Sequence, residues 1–177
     1  MFKLTTPRFL LVETPLHVIQ KRLEQDAFEA DVPLNGETVA VSFPPEWPGD
    51  GFVLFPLLAE QMQRAPATVP WGGMIISRAE NVAVGQMSFK ALPDAAGSVE
   101  IGYGVNPSFQ GCGCATEAAK AFVAWALEQP SVTRVQAECL ETNVGSVRVL
   151  EKAGFRRVGM RFDEEEGGAL ILWERTA

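Results

Sequence analysis

Apolar and polar positions change period several times along the 177 residues, and each change marks an element. From Arg8 to Glu13 the chain is rich in β-formers and stops at Thr14-Pro15, predicting a strand followed by a helix start. Leu16, Ile19, Leu23, Ala27 and Ala30 recur at steps of three and four, which predicts one helix from Pro15 to Ala30. His17 falls off that stripe and is expected in solvent. Asp31 to Asp50 carries Pro33, Pro44, Pro45 and Pro48 and reads as a long connection, of the length that often serves as a lid or binding segment. Its aromatics, Phe43 and Trp47, either wall a substrate pocket or pack the loop onto the core. Phe52 to Arg64 supports a second helix, ending before Pro66.

Trp71 to Ser77, Val82 to Lys90 and Ser98 to Val105 are strand-like and are separated by hairpin-type connections, predicting an antiparallel meander. The grammar then changes. A glycine-rich loop leads into a helix over Ala115 to Glu128, a strand over Val132 to Leu140, a helix over Asn143 to Ala153 and a strand over Phe155 to Phe162. An acidic turn, Asp163 to Gly168, precedes a last strand at Ala169 to Trp173. Alternating elements of this kind place strands in parallel, so the expectation is a mixed α/β sheet covered by helices, in a single domain over residues 1–177.

Composition agrees with one ordinary globular domain: 47% apolar, 9% aromatic and 21% charged residues. No apolar run reaches the roughly 20 residues of a membrane span, and the N-terminal residues lack the organisation of a secretory signal. A cytoplasmic protein without a membrane partner is therefore expected. Fifteen basic against 22 acidic residues give a net charge of −7, which argues against general nucleic-acid binding, since that needs cations along the phosphates. The excess of acid either serves solubility or helps a cationic substrate slightly.

Cys112, Cys114 and Cys139 are three thiols without a signal sequence, which argues against a disulfide framework. No second Cys or His pair accompanies Cys112 and Cys114, so no metal is expected. Both precede a helix whose N-terminal field would favour thiolate, but no distal histidine is available as a base, and the thiols are expected to be non-catalytic.

The stretch that carries chemistry is Asn106-Pro-Ser-Phe-Gln-Gly-Cys-Gly-Cys-Ala-Thr-Glu117, between a strand and a helix. Gly111 and Gly113 let the backbone turn and approach a ligand closely. Amides in the first turn of the following helix lack internal acceptors, so the segment is either an anion site, most naturally for a phosphate, or an ordinary glycine-bearing turn. A Walker loop needs a lysine after the glycines and a dinucleotide fingerprint needs a third glycine, and both are absent.

Gln110-Gly-Cys-Gly-Cys-Ala115 resembles the Gln/Arg-x-x-Gly-x-Gly/Ala signature of the GNAT superfamily of acetyl-CoA-dependent N-acetyltransferases. Glu100-Ile-Gly-Tyr103 precedes it at the usual distance. Asn143-Val-Gly-Ser-Val-Arg-Val-Leu-Glu-Lys-Ala-Gly-Phe155 is similar to the superfamily's other signature, an Asn-opened helix ending in Glu-Lys-x-Gly-Phe. The opening residues Leu4 to Leu11 and the strand from Trp71 also resemble the branch that acetylates ribosomal-protein N-termini. The resemblance is strongest over residues 98–160 and thinnest over the acceptor-side segment 31–70.

This resemblance implies a GNAT-like, mostly antiparallel sheet of about six to seven strands flanked by about four helices, with two central strands splayed apart. Acetyl-CoA would lie in the opening as cosubstrate. Its pantetheine arm would pair with the backbone around Tyr103, Gly104 and Val105. The loop of Gln110, Gly111, Cys112, Gly113, Cys114, Ala115 and Thr116 would hold the pyrophosphate. Asn143 would reach the arm, cap its own helix, or do both. A small amine or a protein N-terminus would be the acceptor, acetylated by direct attack in a ternary complex, and the protein would act as a monomer or a homodimer.

An amine attacking a thioester must lose a proton, and the thiolate that leaves is helped by an acid. Glu100 is the candidate base, since strict alternation sets it on one face with Gly102 and Gly104; the alternative is an exposed cross-strand carboxylate. The tyrosine that commonly serves the family as acid is Leu150 here. Ser146 or water then takes the role, or no acid is needed. Rival readings are a CoA-binding regulator without catalysis, or another acyltransferase or thioesterase on the same cofactor site.

Overall fold

The computed structural model describes residues 2–34 and 36–177. Met1, and Asn35 inside the expected connection, lie outside the described residues. Ten strands and four helices are arranged as β1 (Lys3–Thr5), β2 (Phe9–Val12), α1 (Leu16–Glu24), β3 (Phe28–Leu34), β4 (Glu37–Phe43) and α2 (Phe55–Arg64). They continue as β5 (Gly72–Ser77), β6 (Val82–Phe89), β7 (Ser98–Val105), α3 (Cys114–Leu127), β8 (Arg134–Leu140), α4 (Val144–Lys152), β9 (Arg156–Asp163) and β10 (Gly168–Thr176). Among the described residues no helix is long and apolar enough to cross a membrane.

The main sheet runs β1-β2-β5-β6-β7-β8-β10-β9. Its neighbours are antiparallel except β7 and β8, whose parallel pairing is made possible by α3 as the crossover. Both faces are covered, which explains why Met74-Ile75-Ile76 reads as an unbroken apolar run. Ile75 packs with Phe122, Val123 and Leu150 on the α3/α4 side, whereas Met74 and Ile76 pack with Ile19, Phe43 and Trp47 on the α1/α2 side.

The expected fold class stands, and the sheet is larger than expected through β1, β3 and β4. The predicted helix to Ala30 ends at Glu24 instead. From Phe28 the buried positions are Phe28, Ala30, Val32 and Leu34, with Glu29, Asp31 and Pro33 exposed, a period of two. Ala30 had prolonged the helical stripe although it is a buried position of the strand, and Ala27 is exposed in the bend before β3. β3 and β4 form a hairpin joined to the main sheet by one bridge, Ser42 to Val82. β3 pairs only with β4, which is the edge position where Pro33 is tolerated. Trp47 and Phe43 are fully buried; Trp47 donates from Nε1 to the Gly85 carbonyl at 3.0 Å and meets Phe43 and Phe55 edge-on. Packing, not a pocket wall, is their role. His17 is exposed, as expected.

Candidate active site

Two central strands start as partners and part. Ser98, Val99 and Glu100 pair with Arg134, Val135 and Gln136, and there the β7–β8 ladder stops. β7 continues to Val105 bonded only to β6, and β8 continues to Leu140 bonded only to β10. Beyond Glu100 each strand therefore turns a free backbone edge toward the other. Unpaired backbone groups inside a sheet demand a partner, and an extended ligand that supplies amide groups meets that demand as an added strand would.

The opening leads into a cavity of about 610 Å3. Its walls include Tyr103, Gly104 and Val105 of β7, the loop residues Gln110, Gly111 and Gly113, and Cys114, Ala115 and Thr116 at the start of α3. Asn143 and the α4 residues Gly145, Ser146, Arg148, Val149 and Lys152 form the opposite wall. Pairs of these α4 positions, such as Gly145 and Val149 or Arg148 and Lys152, stand three or four residues apart, which places them on one face of the helix.

The glycine loop is built to leave amides free. Gly111 and Gly113 adopt φ of +74° and +84°, the left-handed region that side chains resist. Gly113 is the N-cap of α3 and provides no side-chain acceptor, so the first-turn amides face the cavity side without a cap. The loop is held from both ends. Buried Asn106 donates to the Ala83 carbonyl at 2.9 Å, and Gln110 donates to the Val105 carbonyl at 3.0 Å. Arg8, from the far edge of the fold, donates to the Cys112 carbonyl at 2.8 Å and to Glu117 through Nε at 2.7 Å. Partial burial pushes the Glu117 carboxyl up, but hydrogen bonds from Thr6 and Arg8 outweigh this and hold it below its ordinary value. Arg8 and Glu117 had no sequence signal, because more than a hundred residues separate them.

Asn143 caps α4 through a hydrogen bond from the Ser146 amide, 3.0 Å, and also lines the cavity, so both expected roles are open to it. The Tyr103 hydroxyl lies 2.7 Å from Ser146 Oγ across the opening. Burial pushes the Tyr103 phenol up to about 12, partly offset by that hydrogen bond, so it stays protonated at neutral pH. Leu150 is fully buried in the core.

Not every predicted residue reaches the cavity wall. Glu100 sits at the last paired register before the opening, and its carboxylate forms an ion pair with Lys90. Cys112 is exposed and its thiol donates to the Phe109 carbonyl. Cys114 does line the cavity, yet it is buried, and this pushes its thiol up to about 12. The helix N-terminus therefore does not yield a thiolate there. The third thiol, Cys139, is buried and accepts from Trp173 Nε1 at 3.3 Å. Gly49 and Asp50, from the segment before α2, also border the cavity.

A mixed sheet opened between two parallel central strands, with an uncapped helix start at the mouth, has the shape and the free amides that suit an extended, anion-bearing ligand. The chain belongs to the GNAT acetyltransferase family: the model described as "Acetyltransferase (GNAT) domain" matches residues 47–156. It is 37% identical over 112 residues to the uncharacterized N-acetyltransferase YjdG of Bacillus subtilis (strain 168), a match spanning 62% of this chain and 67% of that protein. Matches to two further proteins of that organism span only 48% and 35% of their lengths. The fold is that of ribosomal-protein-S5-alanine acetyltransferase from Vibrio fischeri, with a TM-score of 0.68, 13% identity and 99% and 97% of the two chains covered. It is equally that of the ribosomal L7/L12 α-N-protein acetyltransferase RimL in complex with CoA, with a TM-score of 0.66, 17% identity and 97% and 95% covered.

Proposed function

We propose that the protein is an acetyl-CoA-dependent N-acetyltransferase that acetylates a primary amine, on a small molecule or a protein N-terminus, by direct attack in a ternary complex. The observation that carries this reading is the release of β7 from β8 at Glu100, continued by a loop that ends on uncapped helix amides. The residues fit the cosubstrate along its length. The free edge from Ile101 to Val105 suits the amides of a pantetheine arm. Gly111 would project a Cβ into open space, so the backbone there can be approached closely. The amides from Gly111 to Thr116, with the positive end of α3, suit a pyrophosphate. The CoA bound in the RimL complex supports the choice of cosubstrate.

Bound acetyl-CoA would supply an activated thioester carbonyl. Asp50, at the mouth, attracts a protonated amine. Glu100, ion-paired with Lys90, accepts the amine's proton through water. Ser146 donates to the departing thiolate, and Tyr103 donates to Ser146 Oγ, so the phenol replaces the tyrosine that Leu150 lacks.

The deciding experiment is release of free thiol from acetyl-CoA against a panel of amines and short peptides. Release that requires an amine, with the acetylated product found by mass spectrometry, is expected. Release independent of amine would favour a thioesterase, and binding without release on any acceptor would favour a regulator.

A further inference from the structure

The sheet ends on free edges at β1, β3 and β9, and two of these are protected in ordinary ways. β1 is only three residues long, and β3 turns Glu29, Asp31 and Pro33 to solvent. β9 is different. It runs for eight residues and pairs with β10 alone among the described residues, so its outer backbone groups have no partner in the sheet. Val158, Met160 and Phe162 stand at alternate positions along it and are 54%, 48% and 71% exposed. Met160 and Phe162 lie opposite Ile171 and Ala169. Ile171 belongs to the core on the α3/α4 side, so the stripe prolongs that face of the sheet beyond its helical cover.

The arginines that interrupt the stripe do not leave the edge cationic. Arg156 pairs with Glu174, Arg157 with Glu141, and Arg161 with Glu138 and Asp163, all carboxylates of the same chain. What the edge offers is a row of backbone groups and an apolar stripe.

We propose that β9 is a homodimer interface, in which two copies of the chain join their β9 edges antiparallel about a two-fold axis at Met160 and form one continuous sheet. The occupant is a second copy because the strand is complementary to itself. With the axis at Met160, Val158 of each copy falls opposite Phe162 of the other, and Met160 meets its own counterpart. At each end an arginine opposes Asp163. It is Arg157 by simple numbering, and Arg156 once the bulge is counted, where Arg157 and Gly159 face consecutive residues of β10. Other registers fail. A slip of one residue sets Arg161 opposite Val158 or Met160, and a slip of two sets it opposite Arg157 or its own copy, which is repulsive. A two-fold contact also uses the same edge of both chains, so pairing closes at two. The inference does not depend on the acetyl-transfer reading.

The test is light scattering coupled to size-exclusion chromatography of the full chain over a dilution series. Wild type should run at twice the chain's 19.2 kDa and dissociate on dilution. Met160→Glu sets two carboxylates against each other across the axis, and Phe162→Glu sets one against Val158; each should weaken the dimer about 10-fold or more. Val158→Lys/Phe162→Glu places opposite charges at facing positions and should recover most of the loss. These side chains are exposed, so folding should persist, and circular dichroism checks it. A wild type that stays a monomer at every concentration would overturn the proposal and leave the stripe to another partner. So would a dimer that Met160→Glu leaves intact, or a Phe162→Glu defect that Val158→Lys fails to relieve.

Discussion

The Tyr103 hydroxyl and Ser146 Oγ are 2.7 Å apart, and the bond between them ties the strand on one side of the opening to the helix on the other. Ser146→Ala should lower kcat roughly 10-fold with CoA affinity unchanged, a modest cost because a CoA thiol near the cysteine reference value of about 8.5 leaves readily. Tyr103→Phe should cost a few-fold. Groups that act in series are not additive, so the double variant should be no slower than Ser146→Ala alone. Steady-state kinetics with one good amine acceptor measures all three.

The same phenol sets a stability window. Its value rises from about 10 to about 12 on folding, so the folded chain holds the proton more tightly than the unfolded one. The stabilisation is fully present below about pH 10 and is lost as pH rises toward 12. Denaturant unfolding between pH 9 and 11 should show wild type losing stability relative to Tyr103→Phe only above pH 10. Parallel curves for the two proteins would contradict burial of the phenol.

Glu100→Gln keeps the shape and removes the basicity, so turnover should fall roughly 100-fold while CoA binding barely moves. The ion pair with Lys90 complicates a single variant, since either partner's loss breaks it. Lys90→Met supplies the control: it breaks the pair, keeps the carboxylate and should retain most turnover. If Glu100→Gln matches wild type across the pH range, the proton goes elsewhere, to water or to Glu138 or Glu141.

Gly113→Val places a branched side chain at φ +84°, with its Cβ 3.3 Å from Arg8 Nη2. The left-handed conformation is costly for a branched residue and the guanidinium must move, so the loop amides lose their arrangement. Calorimetry on folded variant should show at least a 10-fold loss of CoA affinity. Unchanged binding would remove the loop from the cofactor site.

Replacement of Cys112, Cys114 and Cys139 together by Ala should leave turnover within a few-fold. Burial keeps the Cys114 thiol protonated up to about pH 12, and Cys112 is turned to the Phe109 carbonyl rather than to the cavity. Inactivation by single replacements, with folding intact by circular dichroism, would point to an acyl-cysteine route.

Local pattern by itself determined the order of strands and helices from Trp71 onward, the glycine turn, the capped start of α4 and the loop that faces the cavity. These features are written within a few residues of one another: glycines where φ is positive, an Asn one position before a helix, apolar residues at a fixed period. Tertiary structure decided the rest. Phe28 to Leu34 became a strand because its alternation meets a partner in β4, which a helical reading of Ala27 and Ala30 hides. Trp47 went to the core because Gly85 offers its carbonyl 38 residues away. The clamp of Arg8 on the Cys112 carbonyl and the Tyr103–Ser146 bond each join residues distant in the chain. Charge and hydrogen-bond partners at such separations are chosen by the packing of whole elements, and no period or spacing in the sequence encodes them.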